Sequence, residues 1–231
     1  MQYVMHLKNM QIEKVIKMKY IIMCGGKYDQ WTTPRHMTVV NGEMLVERTI
    51  RLLEENGIED IYISTDNPIF KQFNVPILTH VNNYHLADYY NCTGQWVEAF
   101  YPTNEPTTYI FGDVYFSEDA IKTIIATDTN DIEFFASKPP FKEVYIKPWA
   151  EPFALKVVNT QHLRESIRKV IEYDRQGKWN RKPIMWELWQ VIKGHELNTI
   201  DYNSYTAIND YTCDVDDKKD VEKLEKAIRG L

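Results

Sequence analysis

The run Tyr20-Ile21-Ile22-Met23 passes through Cys24 straight into Gly25-Gly26-Lys27, and no other feature limits the possible folds of this chain so tightly. A short apolar strand ending in paired glycines lets the backbone come close to a bulky group, because neither glycine carries a Cβ. Successive free N–H groups in such a loop form an anion-binding concavity. Lys27 and, behind Pro34, Arg35 put a positive charge on either side of it. At the C-terminal edge of a first strand, where open α/β sheets bind ligands, this reads as a phosphate cradle. A tight turn at a strand end would use the same glycines. The loop is neither a P-loop nor a dinucleotide fingerprint, since both Gly-x4-Gly-Lys-Ser/Thr and Gly-x-Gly-x-x-Gly are absent.

The pattern that follows alternates strands with amphipathic helices. Leu45, Thr49, Ile50 and Leu53 share one helical face over residues 45–56, and Asn56-Gly57 stops that helix. Strands are predicted over 58–65, 75–78 and 107–111. Helices are predicted over 87–101 and 117–126, the second with Ser117 as N-cap. This rhythm argues for a mostly parallel, doubly wound α/β sheet with helices on both faces. Past residue 130 the pattern changes. Segments 132–137, 143–147 and 152–158 read as strands without intervening helices, and helices follow over 161–177, 183–194 and 217–229. Trp186 and Trp189, at i and i+3, fit a buried helix face. The expected organisation is a single domain over 18–231, its first half (18–130) binding nucleotide and its second (131–231) shaping an acceptor site. Residues 1–17 lack the apolar core and cleavage site of a secretory signal. They are expected to be a peripheral extension or the product of an upstream start codon.

Two further motifs carry chemistry. In Tyr109-Ile110-Phe111-Gly112-Asp113 a strand ends in Gly-Asp, so Asp113 emerges at the sheet edge, where a carboxylate can hold Mg²⁺ against phosphate oxygens. Capping the next turn is the other role open to it. The run Asp214-Val215-Asp216-Asp217, with Asp220 beyond, offers several carboxylates, of which Asp216 or Asp217 would make a helix N-cap and Asp220 would complement the helix dipole.

These segments together resemble the NTP-transferase family, the nucleotidyltransferases that join an NTP to a sugar phosphate or similar phosphorylated acceptor. That family opens with a strand, Gly-Gly-x-x-x-Arg, Pro-Lys, a small turn and a helix. Gly25, Gly26, Pro34 and the Asn41-Gly42-Glu43 turn match it. Gln30 stands where the family has arginine, and Arg35 stands where it has lysine, which keeps the charge but changes a point charge into a planar fork. The Gly112-Asp113 segment is similar to the family's Leu-x-Gly-Asp, and Asp214 to Leu224 to its closing acidic motif. The resemblance implies a three-layer α/β/α nucleotide-diphospho-sugar transferase-like fold. It implies Mg²⁺ held by Asp113 and Asp216, with Asp214 the alternative to the latter. It implies a nucleotide held by Cys24, Gly25, Gly26, Lys27, Thr93 and Gly94, with Arg35 and Lys27 acting on the triphosphate. Lys147, in Tyr145-Ile146-Lys147-Pro148, would contact the acceptor phosphate. A solvated edge-strand lysine, and a helix N-terminus capped by Thr93, account for the same residues at those two places without a ligand.

The partners implied are an NTP and a phosphorylated small-molecule acceptor, and a homodimer is compatible with the resemblance. A net charge of −6 argues against a broad nucleic-acid footprint. No apolar run approaches the roughly 18 residues that cross a bilayer, so no membrane partner is expected. Three scattered cysteines and no Cys-x-x-Cys suggest reduced thiols and a cytoplasmic protein. The six histidines show no metal-ligand spacing. The leading expectation is a Mg²⁺-dependent nucleotidyltransferase. A nucleotide-sugar glycosyltransferase and a non-catalytic nucleotide-binding protein are the alternatives.

Overall fold

Tyr20, Ile21 and Ile22 are all buried although successive strand residues point to opposite faces. A strand apolar on both sides must lie inside a sheet that is covered twice, and this is where the chain puts it. The computed structural model describes residues 17–25, 33–79, 96–139 and 148–230. The strands are β1 (Lys19–Met23), β2 (Val39–Val40), β3 (Glu43–Met44), β4 (Ile61–Ser64), β5 (Ile77–Leu78), β6 (Thr107–Phe111), β7 (Val114–Tyr115), β8 (Ile132–Ala136), β9 (Pro152–Val157), β10 (Thr206–Ala207) and β11 (Cys213–Asp214). The helices are α1 (Leu45–Glu55), α2 (Glu118–Ala126), α3 (Thr160–Arg175), α4 (Met185–Lys193) and α5 (Lys218–Arg229).

Among the described residues, seven strands form one sheet in the order β10-β8-β9-β6-β1-β4-β5. β1 pairs in parallel with β4 and with β6, with Met23 opposite Ser64 on one side and Phe111 on the other. All of these strands run the same way except β9, which is antiparallel to both β6 and β8. The sheet is therefore mostly parallel, as expected, with one reversed strand joining the halves. Helix α1 packs with α2, and α3 with α4, as two groups flanking the sheet. Among the described residues no helix is long and apolar enough to cross a membrane.

Local chemistry sets the element ends. Ser117 Oγ accepts from the Ala120 N–H at 2.9 Å and caps α2, as expected. Asn41 and Gly42 both take positive φ, +50° and +85°, which is the backbone a two-residue β2–β3 hairpin requires. Asp217 caps α5, and Asp220 reaches back to the Asp217 N–H at 3.1 Å in a capping box. Trp186 and Trp189 lie in the core, with their rings 5.1 and 5.4 Å from that of Phe134. The helix expected over 87–101 is described only from residue 96, where Trp96–Ala99 forms a 3₁₀ turn. Among the described residues of that segment there is no α-helix. The strand expected over 143–147 and the extension over 1–16 lie outside the described residues.

A second, smaller core bears on the site. Val40, Leu45, Tyr115, Cys213, Val215 and Leu224 form a buried cluster of their own. It joins the hairpin, the start of α1, β7, β11 and α5. Arg48 of α1 ties it to the main body. Its Nε donates to the Phe116 carbonyl at 2.8 Å, and its guanidinium lies 4.4 Å from the centre of the Tyr115 ring.

Candidate active site

The ends of β1 and β6 are held closer than side chains would allow. The Gly112 N–H donates to the Met23 carbonyl at 3.0 Å, and the Cys24 N–H to the Ser64 carbonyl at 2.9 Å. A Cβ on Gly112 would stand 2.6 Å from Cys24 Sγ, 2.7 Å from the Met23 carbonyl oxygen and 3.0 Å from the His36 ring. Only glycine fits there, so Gly112 is what brings residue 113 up to the C-terminal end of β1. Cys24 is buried in this contact. Burial, reinforced by the Asp113 charge, pushes its thiol well above the usual range, which makes Cys24 a packing residue rather than a nucleophile.

After Gly112 the chain turns outward as β7, which pairs antiparallel with β11, Val114 opposite Asp214. The Val215 N–H continues the ladder to the Asp113 carbonyl at 2.9 Å. This short ribbon places Asp216 beside Asp113. Arg35 stands between the two, in a 3₁₀ turn (Arg35–Met37) opened by Pro34. Its Nη1 donates to Asp216 Oδ1 at 2.5 Å and its Nη2 donates to Asp113 Oδ2. The side chains of Arg35 and Asp113 are 16% and 15% exposed and that of Asp216 is 55% exposed. Burial pushes the Asp113 carboxyl up, but the Arg35 charge and hydrogen bond and its own backbone N–H outweigh that, so it stays below its ordinary value and ionised.

His36 sits directly beneath. It is 2% exposed, meets Phe70 edge-on at 5.8 Å, and burial pulls its pKa to about 4 against the opposing pull of Asp113. A neutral imidazole thus backs the carboxylate. Sequence reasoning passed His36 over, and its position directly after Pro34-Arg35 was the available signal.

The expected site residues divide into three groups. Asp113, Asp216 and Arg35 are brought together. Cys24 and Gly25 lie at the same sheet edge. Gly26, Lys27, Thr93, Gly94 and Lys147 lie outside the described residues. Asp214 lies in β11 opposite Val114, while Asp216 is the residue that reaches Arg35. Asp217 and Asp220 do the capping. Bridging to Arg35 and capping of α5 therefore fall on different residues, Asp216 on one side and Asp217 with Asp220 on the other. On the other side of the edge, Ser137 and Glu151 join β8 to the start of β9. The Glu151 N–H donates to Ser137 Oγ at 2.8 Å, and the exposed Trp149 indole donates to Glu151 Oε1 at 3.2 Å. The sequence reading did not single out Trp149 or Glu151.

The donor set fits a hard divalent cation. Asp113 and Asp216 offer carboxylate oxygens, and Mg²⁺ is commonly bound through one or two carboxylates, with waters and substrate phosphates completing its shell. Among the described residues no group of three or more His, Cys, Asp or Glu side chains could hold a metal. A cation here would therefore draw further ligands from outside the protein.

The architecture is that of the nucleotidyltransferases whose solved structures it superimposes on. A Bacillus anthracis structure assigned as a glucose-1-phosphate thymidylyltransferase aligns with 93% of this chain and 96% of its own, at a TM-score of 0.58 and 15% identity. The CTP:phosphocholine cytidylyltransferase of Streptococcus pneumoniae aligns over 92% and 100%, at a TM-score of 0.52 and 16% identity. HddC from Yersinia pseudotuberculosis, solved with GMP-PN, aligns over 91% and 99%, at a TM-score of 0.51 and 14% identity. At such identities the likeness is one of fold. No family model matches the chain, and no curated protein matches its sequence.

Proposed function

We propose that the protein is a Mg²⁺-dependent nucleotidyltransferase that transfers NMP from an NTP to a sugar phosphate or other phosphorylated acceptor and releases pyrophosphate. One observation carries this reading above the others. Two carboxylates from distant segments, Asp113 and Asp216, converge on Arg35 at the carboxyl edge of the central strand, directly after the glycine loop. An acceptor phosphate oxygen attacks the α-phosphorus in line, and the bond to the β-phosphate oxygen breaks. Such a displacement needs no enzyme nucleophile, only positioning and charge neutralisation. When bound, Mg²⁺ supplies Lewis-acid charge compensation on the phosphate oxygens. Asp113 and Asp216 would hold it.

The loop from Cys24 to Lys27, with Thr93 and Gly94, would hold the nucleotide. Arg35 and Lys27 would neutralise the triphosphate. Lys147 would meet the acceptor phosphate. Soluble nucleotide and phosphorylated substrates suit a cytoplasmic setting.

The test is a pyrophosphate-release assay with each of the four NTPs, Mg²⁺, and a panel of sugar 1-phosphates and phosphorylated amino alcohols. Release with one base and one acceptor class is the expected result. Cleavage of a preformed nucleotide sugar without pyrophosphate would assign a glycosyltransferase instead. NTP-dependent thermal stabilisation with no release from any pair would assign a binding protein.

A further inference from the structure

Arg35 touches both carboxylates at once, Nη2 on Asp113 and Nη1 on Asp216. A planar fork of N–H donors bridges two separate carboxylates by lying between them. A Mg²⁺ ion held by the same pair needs their oxygens at about 2.0–2.1 Å, which puts it in the space the guanidinium fills. The fork and the ion therefore exclude each other. Neither can simply leave, because Asp113 is only 15% exposed. A shielded carboxylate facing a second one, with no cation between them, is strongly disfavoured in its charged form.

We propose that Arg35 is the resident counter-ion of this cation site. It holds Asp113 and Asp216 together and keeps the metal out until a bound triphosphate draws the guanidinium away. This names the regulation of the proposed nucleotidyltransferase site and rests on that reading. The exchange leaves no charge uncompensated. The triphosphate gives Arg35 new anionic oxygens as the two carboxylates pass to the metal that accompanies it. Arginine suits the task because it stays protonated and spans both carboxylates. Lysine, which the resembled family carries at this place, is a point charge on a flexible stem and offers no such fork. Binding linkage is reciprocal, so metal and triphosphate each strengthen the other's hold on the site. Metal without nucleotide is held weakly.

The test uses Mn²⁺ alone as the probe, on the full chain without nucleotide, with free ion counted by electron paramagnetic resonance. Arg35→Gln is expected to bind Mn²⁺ at least tenfold more tightly than the parent, and Arg35→Lys to fall between them. Lys219→Gln removes a positive charge at the nearby start of α5 without touching the bridge, and should change the affinity by less than twofold. Adding Asp113→Asn to Arg35→Gln should abolish the gain. Equal affinity in parent and Arg35→Gln overturns the proposal, as does an equal gain in Lys219→Gln. If Arg35→Gln folds poorly, the melting temperature of Arg35→Lys gives the same answer. Mn²⁺ should raise it more than it raises the parent's, and an equal rise overturns the proposal. A tenfold gain in a protein that yields no pyrophosphate with any NTP and acceptor would overturn the nucleotidyltransferase reading while leaving the cation exchange standing.

Discussion

The carboxyl edge of the sheet is built on two plans. Around β1 and β6 it is tight and charged. Gly112 removes the space a side chain would need, and Arg35, Asp113 and Asp216 meet in a shielded cluster over a neutral His36. Around β8, β9 and β10 it is built on packed aromatic rings, with its charges singly placed, as at Glu133 and Glu151. Phe134, Trp186, Trp189 and Tyr205 pack together, with ring centres 5.1–5.6 Å apart. The Tyr205 hydroxyl donates to the Ser137 carbonyl at 2.7 Å. The first region spends stability to hold charges close together, and the second supplies it through buried ring area. A site of mutually repelling carboxylates can persist because the adjoining half of the same sheet is packed so well.

This contrast can be broken at defined points. The largest effect is expected at Asp113→Asn, which keeps the side-chain shape and removes the charge. Mg²⁺-dependent turnover should fall more than a thousandfold, about 4 kcal/mol or beyond, with the melting temperature near the parent's. Full turnover in a folded variant would take Asp113 out of the site. Next is Trp189→Ala on the aromatic side. Removing a buried ring of this kind costs about 3–5 kcal/mol, roughly 10 °C or more in melting temperature for a chain of this size. NTP-induced stabilisation should survive in the fraction that stays folded. If it vanishes, the two regions are not separable.

The third effect is acid sensitivity. His36 titrates at about 4 when folded and at 6.5 otherwise, so between those values the unfolded chain binds the extra proton and stability falls as pH falls. With metal chelated, the loss from pH 7 to pH 4 should be about 3 kcal/mol, read from urea unfolding midpoints, and His36→Gln should flatten it. A parent curve already flat over that range would mean His36 is not held neutral. The smallest effect is Asp217→Ala. A lost N-cap costs about 0.5–2 kcal/mol, and turnover per folded molecule should be nearly unchanged. A drop of orders of magnitude there would move the proposed metal-binding role from Asp216 to its neighbour.

What was legible in the sequence follows the range of the forces involved. The β1 strand, the 107–111 strand ending in Gly112-Asp113, the Ser117 cap and the Trp186/Trp189 face all rest on neighbours within a few positions, and all are present. The reversal of β9 and the two-residue pairings β7–β11 and β2–β3 were not foreseen. Strands that short leave no periodicity; the partner of β7 is chosen by tertiary packing, and that of β2 by the Asn41-Gly42 turn alone. The same holds for the site. The carboxylates were visible as motif residues, but their junction on Arg35 links positions 78 and 181 residues apart, a distance no local pattern encodes. His36 was missed for a different reason. A lone histidine carries no spacing signal of its own, so the one cue was its place behind Pro34-Arg35, and its burial beside Asp113 shows only in the fold.

The β7–β11 ribbon also sets a timetable. Residue 216 reaches Arg35 across 181 positions of chain, and a ribosome adds about 5–20 residues per second. Roughly ten seconds or more of synthesis therefore separates the glycine loop from the segment that completes the carboxylate pair. Until Asp216 emerges and α5 seals the small core under it, a nascent chain can present Arg35 and Asp113 but not the assembled carboxylate pair. The contact of Asp216 with Arg35 thus doubles as a report that the last helix has docked.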